Sequence, residues 1–148
     1  MKIEEIMKSP VITVEQDLTI DECSRILQKH DINGAPVVQD GRVVGVITRA
    51  DIFRSVLPRY PDIYRDERHL SDFGYIETRI RKVKKIKVKE VMGAPAMTLD
   101  QDTSILKAGS VLTLRKIKQM PVMKDDKLVG IITLGDVFTN LMERANKQ

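Results

Sequence analysis

The heptapeptide GVITRAD at residues 45–51 returns as GIITLGD at residues 130–136, and the offset of 85 carries much of the 148-residue chain across without a gap. Met7 is matched by Met92, Pro10 by Pro95, Thr13 by Thr98, Ile20 by Ile105, Pro36 by Pro121, Asp40 by Asp125 and Phe53 by Phe138. The opening KIEEIM is echoed by KVKEVM at residues 87–92. Register of that extent is an internal duplication. Each copy, at about 55 residues, buries too little surface to be comfortably stable alone, so the halves are expected to pack on one another.

Both copies present the same signals in the same order. After Pro10, VITV alternates like a short strand, and AMTL from Ala96 repeats it. Thr19 with Glu22 three residues on forms a capping box for a helix with Ile20, Cys23, Ile26 and Leu27 on one face. Ser104 is the plainer cap before Ile105, Ala108, Val111 and Leu112. Gly34, in DING, reads as the left-handed cap that ends the first helix. APVVQDGRVVGVIT then reads as a hairpin turning at Asp40-Gly41, whereas MPVMKDDKLVGIIT lacks the glycine and is expected to turn differently. The strands at 43–47 and 128–132 are nearly all apolar, which implies burial on both faces. Thr48 and Thr133 open a last helix. The expected fold class is α/β in the α+β sense, two strand-helix-strand-strand-helix units related by a pseudo-two-fold axis. The expected division is residues 1–57, a linker at 58–85, and residues 86–148. Ile76, Ile80 and Val83 place a basic amphipathic helix at the end of the linker.

Composition narrows the function classes. A charged fraction of 31% beside a hydrophobic fraction of 42% is that of a soluble globular chain, not a disordered one. No apolar run reaches membrane-helix length and the start lacks a secretory signal, so a cytoplasmic location is expected. A single cysteine, Cys23, excludes an intramolecular disulfide and falls on the apolar helix stripe, where core packing is the simpler reading. Neither His30 nor His69 has a His or Cys neighbour at metal-ligand spacing, so no metal site is expected. There is no nucleophile elbow, P-loop or GxGxxG.

The repeated T-x-x-D has two uses. Thr48 as N-cap with Asp51 at the third helical position is a capping arrangement, and an acid there suits the helix dipole. A helix start also offers unpaired amides, which with a threonine hydroxyl can hold a phosphate, while the aspartate can accept hydrogen bonds from the two hydroxyls of a ribose. Thr plus Asp at this spacing suits a ribose phosphate better than a bare anion. Apolar residues such as Ile12 or Met97 could cover a base.

Two such units, each opening with a form of VKEVM…P…T and closing on G-h-h-T-x-x-D, resemble a pair of cystathionine-beta-synthase (CBS) domains, a Bateman module, over essentially the whole chain. The resemblance implies two clefts between the repeats, adenosine ligands (AMP, ADP or ATP, less often S-adenosylmethionine), a regulatory role and no catalytic activity. It assigns Asp51 and Asp136 to the ribose and Thr48 and Thr133 to the phosphate. It places Pro10, Val11, Ile12 and Thr13, and Pro95, Ala96, Met97 and Thr98, around the base, together with Ile32 and Ile117. The position before the motif proline, often a phosphate-binding cation in the family, is Ala35 in one copy and Met120 in the other. Lys118 lies close by in the second repeat only, so unequal clefts are expected. Which repeat supplies which wall of a cleft is left open.

The net charge of +4 hides a basic strip of Arg79, Arg81, Lys82, Lys84, Lys85, Lys87 and Lys89, without which the chain would carry −3. The strip is read first as a solvated helix face, then as a polyphosphate contact, and last as a nucleic-acid or membrane contact, since aromatic interleaving is missing. A homodimer and an unidentified regulated protein are the expected partners. The alternative from another class is a ligand-free dimerisation scaffold in which T-x-x-D only caps helices.

Overall fold

The structure is a computed structural model that describes residues 1–57 and 73–147. The loop expected at the start of the linker lies outside the described residues. Each repeat folds in the expected order. The first has β1 (Val14–Glu15), α1 (Ile20–Lys29), β2 (Gly34–Gln39), β3 (Arg42–Thr48) and α2 (Arg49–Val56), followed by the linker helix α3 (Phe73–Val83). The second has β4 (Leu99–Asp100), α4 (Ile105–Leu114), β5 (Gln119–Lys124), β6 (Lys127–Thr133) and α5 (Leu134–Asn146). Each three-stranded sheet pairs its short first strand parallel to the next, and that strand antiparallel to the last.

Local chemistry accounts for most boundaries. Thr19 accepts from the Glu22 amide and Glu22 reaches back to the Thr19 amide, so the expected capping box forms; Ser104 caps α4 through the Lys107 amide alone. Three readings need correction. Gly34 does not end α1: it opens β2, and the left-handed residue is Asp31 (φ 49°), repeated by Lys116 (φ 54°). The stretches VITV and AMTL become strand only at their ends, where Val14 and Leu99 first meet a parallel neighbour. The second hairpin turn is not different, because Asp125 (φ 48°) and Asp126 (φ 62°) reproduce the left-handed pair Asp40 (φ 51°) and Gly41 (φ 78°). Aspartate tolerates this region, at a cost that glycine avoids. Replacing Asp126 with glycine is therefore expected to raise stability by about 0.5–1 kcal/mol, read as a higher urea midpoint at constant slope.

The molecule divides into two compact units that do not follow the order of the sequence repeats. One is Thr13–Pro95; the other joins Met1–Ile12 to Ala96–Gln148. The opening stretch of each repeat is thus built into the other repeat's body. In the second-repeat unit, Ile3 N–H donates to Thr103 O (2.9 Å) and Ile105 N–H to Met1 O (3.0 Å). In the first-repeat unit, Val88 N–H donates to Leu18 O (2.8 Å) and Ile20 N–H to Ile86 O (2.9 Å), the same bonds one offset along. Even the ion pairs repeat, Lys2 with Asp102 (3.2 Å) and Lys87 with Asp17 (3.5 Å).

The core of the first-repeat unit gathers Val14, Ile20, Cys23, Leu27, Ala35, Val37, Ile47, Val56, Val83 and the incoming Val88. That of the second-repeat unit gathers Leu99, Ile105, Ala108, Leu112, Met120, Val122, Ile132, Val137 and the incoming Ile3. Burial pushes the Cys23 thiol up to about 11, in keeping with its reading as a packed core side chain. The last strands are less enclosed than their composition implied. Along β3, Gly45 and Ile47 are buried while Val43, Val44 and Val46 are half-buried, and β6 repeats that pattern. No helix among the described residues is long and apolar enough to cross a membrane.

Candidate functional site

Each T-x-x-D turn stands where the last strand of a repeat passes into its last helix. In the first-repeat unit Asp51 Oδ2 accepts from Thr48 N–H (2.9 Å) and from the Thr48 hydroxyl (3.0 Å), and Thr48 Oγ1 accepts from the Asp51 amide (3.2 Å). In the second-repeat unit Asp136 Oδ2 accepts from Thr133 N–H (3.1 Å) and Thr133 Oγ1 from the Asp136 amide (3.1 Å). Both aspartates therefore act as helix caps through one carboxylate oxygen. The other oxygen, Oδ1, faces a side-chain cation in each case: Arg54 for Asp51 and Lys8, at 3.6 Å, for Asp136. Capping and ligand binding do not exclude one another here, because the oxygen not needed for the cap is held only by side chains that are themselves 69% and 70% exposed.

The exchanged segments supply the surroundings of each turn. Beside the second turn, Lys8 pairs with Ile131 through both amides (2.9 and 3.0 Å); beside the first, Gly93 pairs with Val46 in the same way (2.9 and 3.0 Å). The glycine of G-h-h-T explains how the segments come so near. A Cβ on Gly45 would stand 2.7 Å from Gly93 O, and one on Gly130 would stand 3.1 Å from Lys8 O.

The second-repeat unit contains Pro10, Val11, Ile12, Ala96, Met97, Thr98, Ile117, Lys118, Thr133 and Asp136. Pro10, Met97, Thr98 and Lys118 are exposed there, with Val11, Ile12 and Ala96 half-buried. The first-repeat unit holds Thr13, Ile32, Thr48, Asp51 and Pro95. Ile32 and Ile117 pack against the edges of the two cores. Ala35 and Met120, named for the phosphate side, sit inside the cores at 0% and 1% exposure, so neither side chain presents itself at a surface. Strand alternation puts their neighbours Gly34 and Gln119 on the opposite face, and these pair with Thr48 and Thr133. Sequence reading missed Gln119 and Lys8. Residue type and spacing within the repeat do not point to Lys8, because it belongs to the site of the other repeat.

The basic strip is largely tied to the first-repeat unit. The Arg79 guanidinium donates to the carbonyls of Val56 (2.8 Å) and Ser55 (3.2 Å) at the end of α2, where helix carbonyls lack partners. Lys84 pairs with Asp21 (3.3 Å), and Lys89 with Asp17 (3.1 Å), holding the Asp17 carboxyl below its ordinary range through that hydrogen bond. Arg81, Lys82, Lys84, Lys85, Lys87 and Lys89 nonetheless remain exposed, as a solvated face requires, and Arg79 alone is half-buried.

The CBS domain family matches at residues 3–58 and 88–143, and the chain belongs to that family as a CBS pair. An uncharacterised protein of Methanocaldococcus jannaschii is 32% identical over 96% of this chain and 92% of its own length. A CBS domain pair solved in complex with 5′-methylthioadenosine and S-adenosyl-L-methionine is 25% identical, with a TM-score of 0.71 over 97% of this chain and 98% of that one. A CBS-pair protein of Arabidopsis thaliana, solved in complex with AMP, shares the fold at 22% identity and a TM-score of 0.73, covering 97% of this chain and 98% of that one.

Proposed function

We propose that the chain is a regulatory module that binds an adenine nucleotide, AMP, ADP or ATP, at its T-x-x-D turns and does not turn it over. The observation that carries this reading is the meeting, in each compact unit, of a T-x-x-D helix start with the proline-bearing opening segment of the other repeat. Amides and a hydroxyl for a phosphate, a carboxylate oxygen for a ribose and apolar segment residues for a base are then close together. The complexes that similar CBS pairs form with AMP and with S-adenosylmethionine support an adenosine ligand. Work in the cytoplasm, on a partner enzyme or channel, belongs to the same reading.

Thermal shifts test it. At a ligand concentration of 100 Kd, stabilisation of about 2.7 kcal/mol is expected with the preferred compound among AMP, ADP, ATP and S-adenosylmethionine. Asp51→Ala and Asp136→Ala each lose a cap, worth about 1 kcal/mol, so the informative quantity is the ligand-dependent part of the shift. That part is expected to shrink in at least one variant. An unchanged melting temperature with every adenosine compound supports the ligand-free scaffold instead.

A second copy of the chain is the proposed cover for the outer helices. Leu106 (68% exposed), Leu114 (82%), Phe138 (62%) and Met142 (51%) stand exposed on α4 and α5, apolar side chains of the kind that mark an interaction surface when they lie side by side. On the first-repeat unit the equivalent groove between α1 and α2 is lined in part by Ile76, Ile80 and Val83 of the linker helix. Phe138→Glu is expected to convert a dimer to a monomer in sedimentation equilibrium with the fold retained by circular dichroism; a monomeric wild-type protein contradicts the dimer.

A further inference from the structure

The two turns share their main-chain geometry and differ in what surrounds it. Along β6, Gly130 and Ile132 are buried, so Ile131 and Thr133 lie on the other face. That face has a neighbour on either side: Lys8 opposite Ile131, and Gln119 opposite Thr133. Residues directly opposed in an antiparallel pair share a face at about 5 Å. Lys8 Nζ already reaches to 3.6 Å from Asp136 Oδ1. The Gln119 side-chain nitrogen is buried and has no hydrogen-bond partner among the described residues. The Thr133 hydroxyl accepts from the Asp136 amide, and no acceptor takes its own proton among the described residues.

One offset away, both side-chain donors are gone. Gly93 stands where the second turn has Lys8, Gly34 where it has Gln119, and the Thr48 hydroxyl already donates to Asp51 at 3.0 Å. The cations near the first turn come from its own helix and not from a strand beside Thr48: Arg54 bonds to Asp51 Oδ1, and Arg49 pairs with Asp31 (3.8 Å).

We infer that the turn of the second repeat is the one that takes the phosphate group of a nucleotide, with Lys8 as its counter-charge, and that the turn of the first repeat suits an uncharged nucleoside. The inference rests on the nucleotide reading of the T-x-x-D turns and assigns different ligand chemistry to each. On binding, the ribose hydroxyls replace Lys8 at Asp136 Oδ1, and the released ammonium, on a side chain that is 70% exposed, turns to the phosphate beside the Thr133 hydroxyl and the Gln119 amide.

Titration calorimetry of the full chain with AMP and with adenosine tests the assignment. In Asp51→Asn, which leaves the second turn intact, AMP is expected to bind about tenfold more tightly than adenosine, a preference that falls as salt rises. Adding Lys8→Met to that variant is expected to remove most of the preference while moving adenosine affinity far less. Asp136→Asn, which leaves only the first turn, is expected to show no preference for AMP, and adding Gly93→Lys to it is expected to create one. A Cβ at Gly93 meets only Val46 O at 3.7 Å, an ordinary contact, so a side chain is accommodated there, and circular dichroism checks that the variant is folded. An AMP-to-adenosine ratio indifferent to Lys8 overturns the assignment and leaves the nucleotide reading standing. Failure of the wild-type protein to bind either compound overturns both.

Discussion

Ile3→Ala is expected to lower the unfolding free energy by about 3 kcal/mol, and to do so in the second repeat although Ile3 begins the first. The side chain is fully buried among Leu99, Ile105, Leu112, Met120 and Ile132, and its removal leaves a cavity in that core. Hydrogen bonds from Ile3 N–H to Thr103 O (2.9 Å) and Glu4 N–H to Gln101 O (3.2 Å) hold the main chain in place, so the segment cannot slide to close the gap. Urea unfolding gives the size of the loss, and native-state hydrogen exchange gives its place. Amides of β5, β6 and α4 are expected to lose protection ahead of those of β2, β3 and α1. The reverse order would mean that the opening segment packs on its own repeat. Val88→Ala is the mirror experiment, with the loss expected in the first-repeat unit, where Val88 is fully buried.

That exchange of opening segments could not be read from the sequence, for a physical reason. KIEEIM and KVKEVM offer the same apolar positions at the same spacing, and the two cores that receive them are built from matching residues. A segment that fits either core carries no information about which it enters; that choice belongs to the connections between elements. The helices were legible because caps and periodicity are local: Thr19 with Glu22, Ser104, and the T-x-x-D starts form as the residues imply. Likewise the hairpins were legible in place, while the conformation of Asp126 was not, since a left-handed aspartate is tolerated without being announced by its residue type. At the candidate site the aspartates and threonines came from a local pattern. Their partner Lys8 came from the other repeat, and Gln119 became visible only once the register of β5 against β6 put it opposite Thr133.

Gly45→Ala is expected to cost about 3 kcal/mol, and more than the same change at Gly130, although the two glycines are equivalent in sequence. Neither needs a left-handed backbone; each is small because another segment crosses close above it. At Gly45 the added carbon would stand 2.7 Å from the main-chain oxygen of Gly93, and Gly93 N–H and O are both bonded to Val46 (2.9 and 3.0 Å). Relief therefore requires breaking that bridge or shifting β3, which ends at Thr48 and leads directly into Asp51 on α2. At Gly130 the nearest obstacle is the side chain of Met7, whose flexible thioether can swing aside, and the main-chain oxygen of Lys8 is farther off at 3.1 Å. The ordering separates backbone crowding from the generic loss of a glycine, which would act equally at both positions. Urea midpoints of the two variants check it: equal destabilisation would mean that the main-chain oxygen at Gly45 resists no more than the movable side chain at Gly130, and would remove backbone crowding as what sets the two glycines apart.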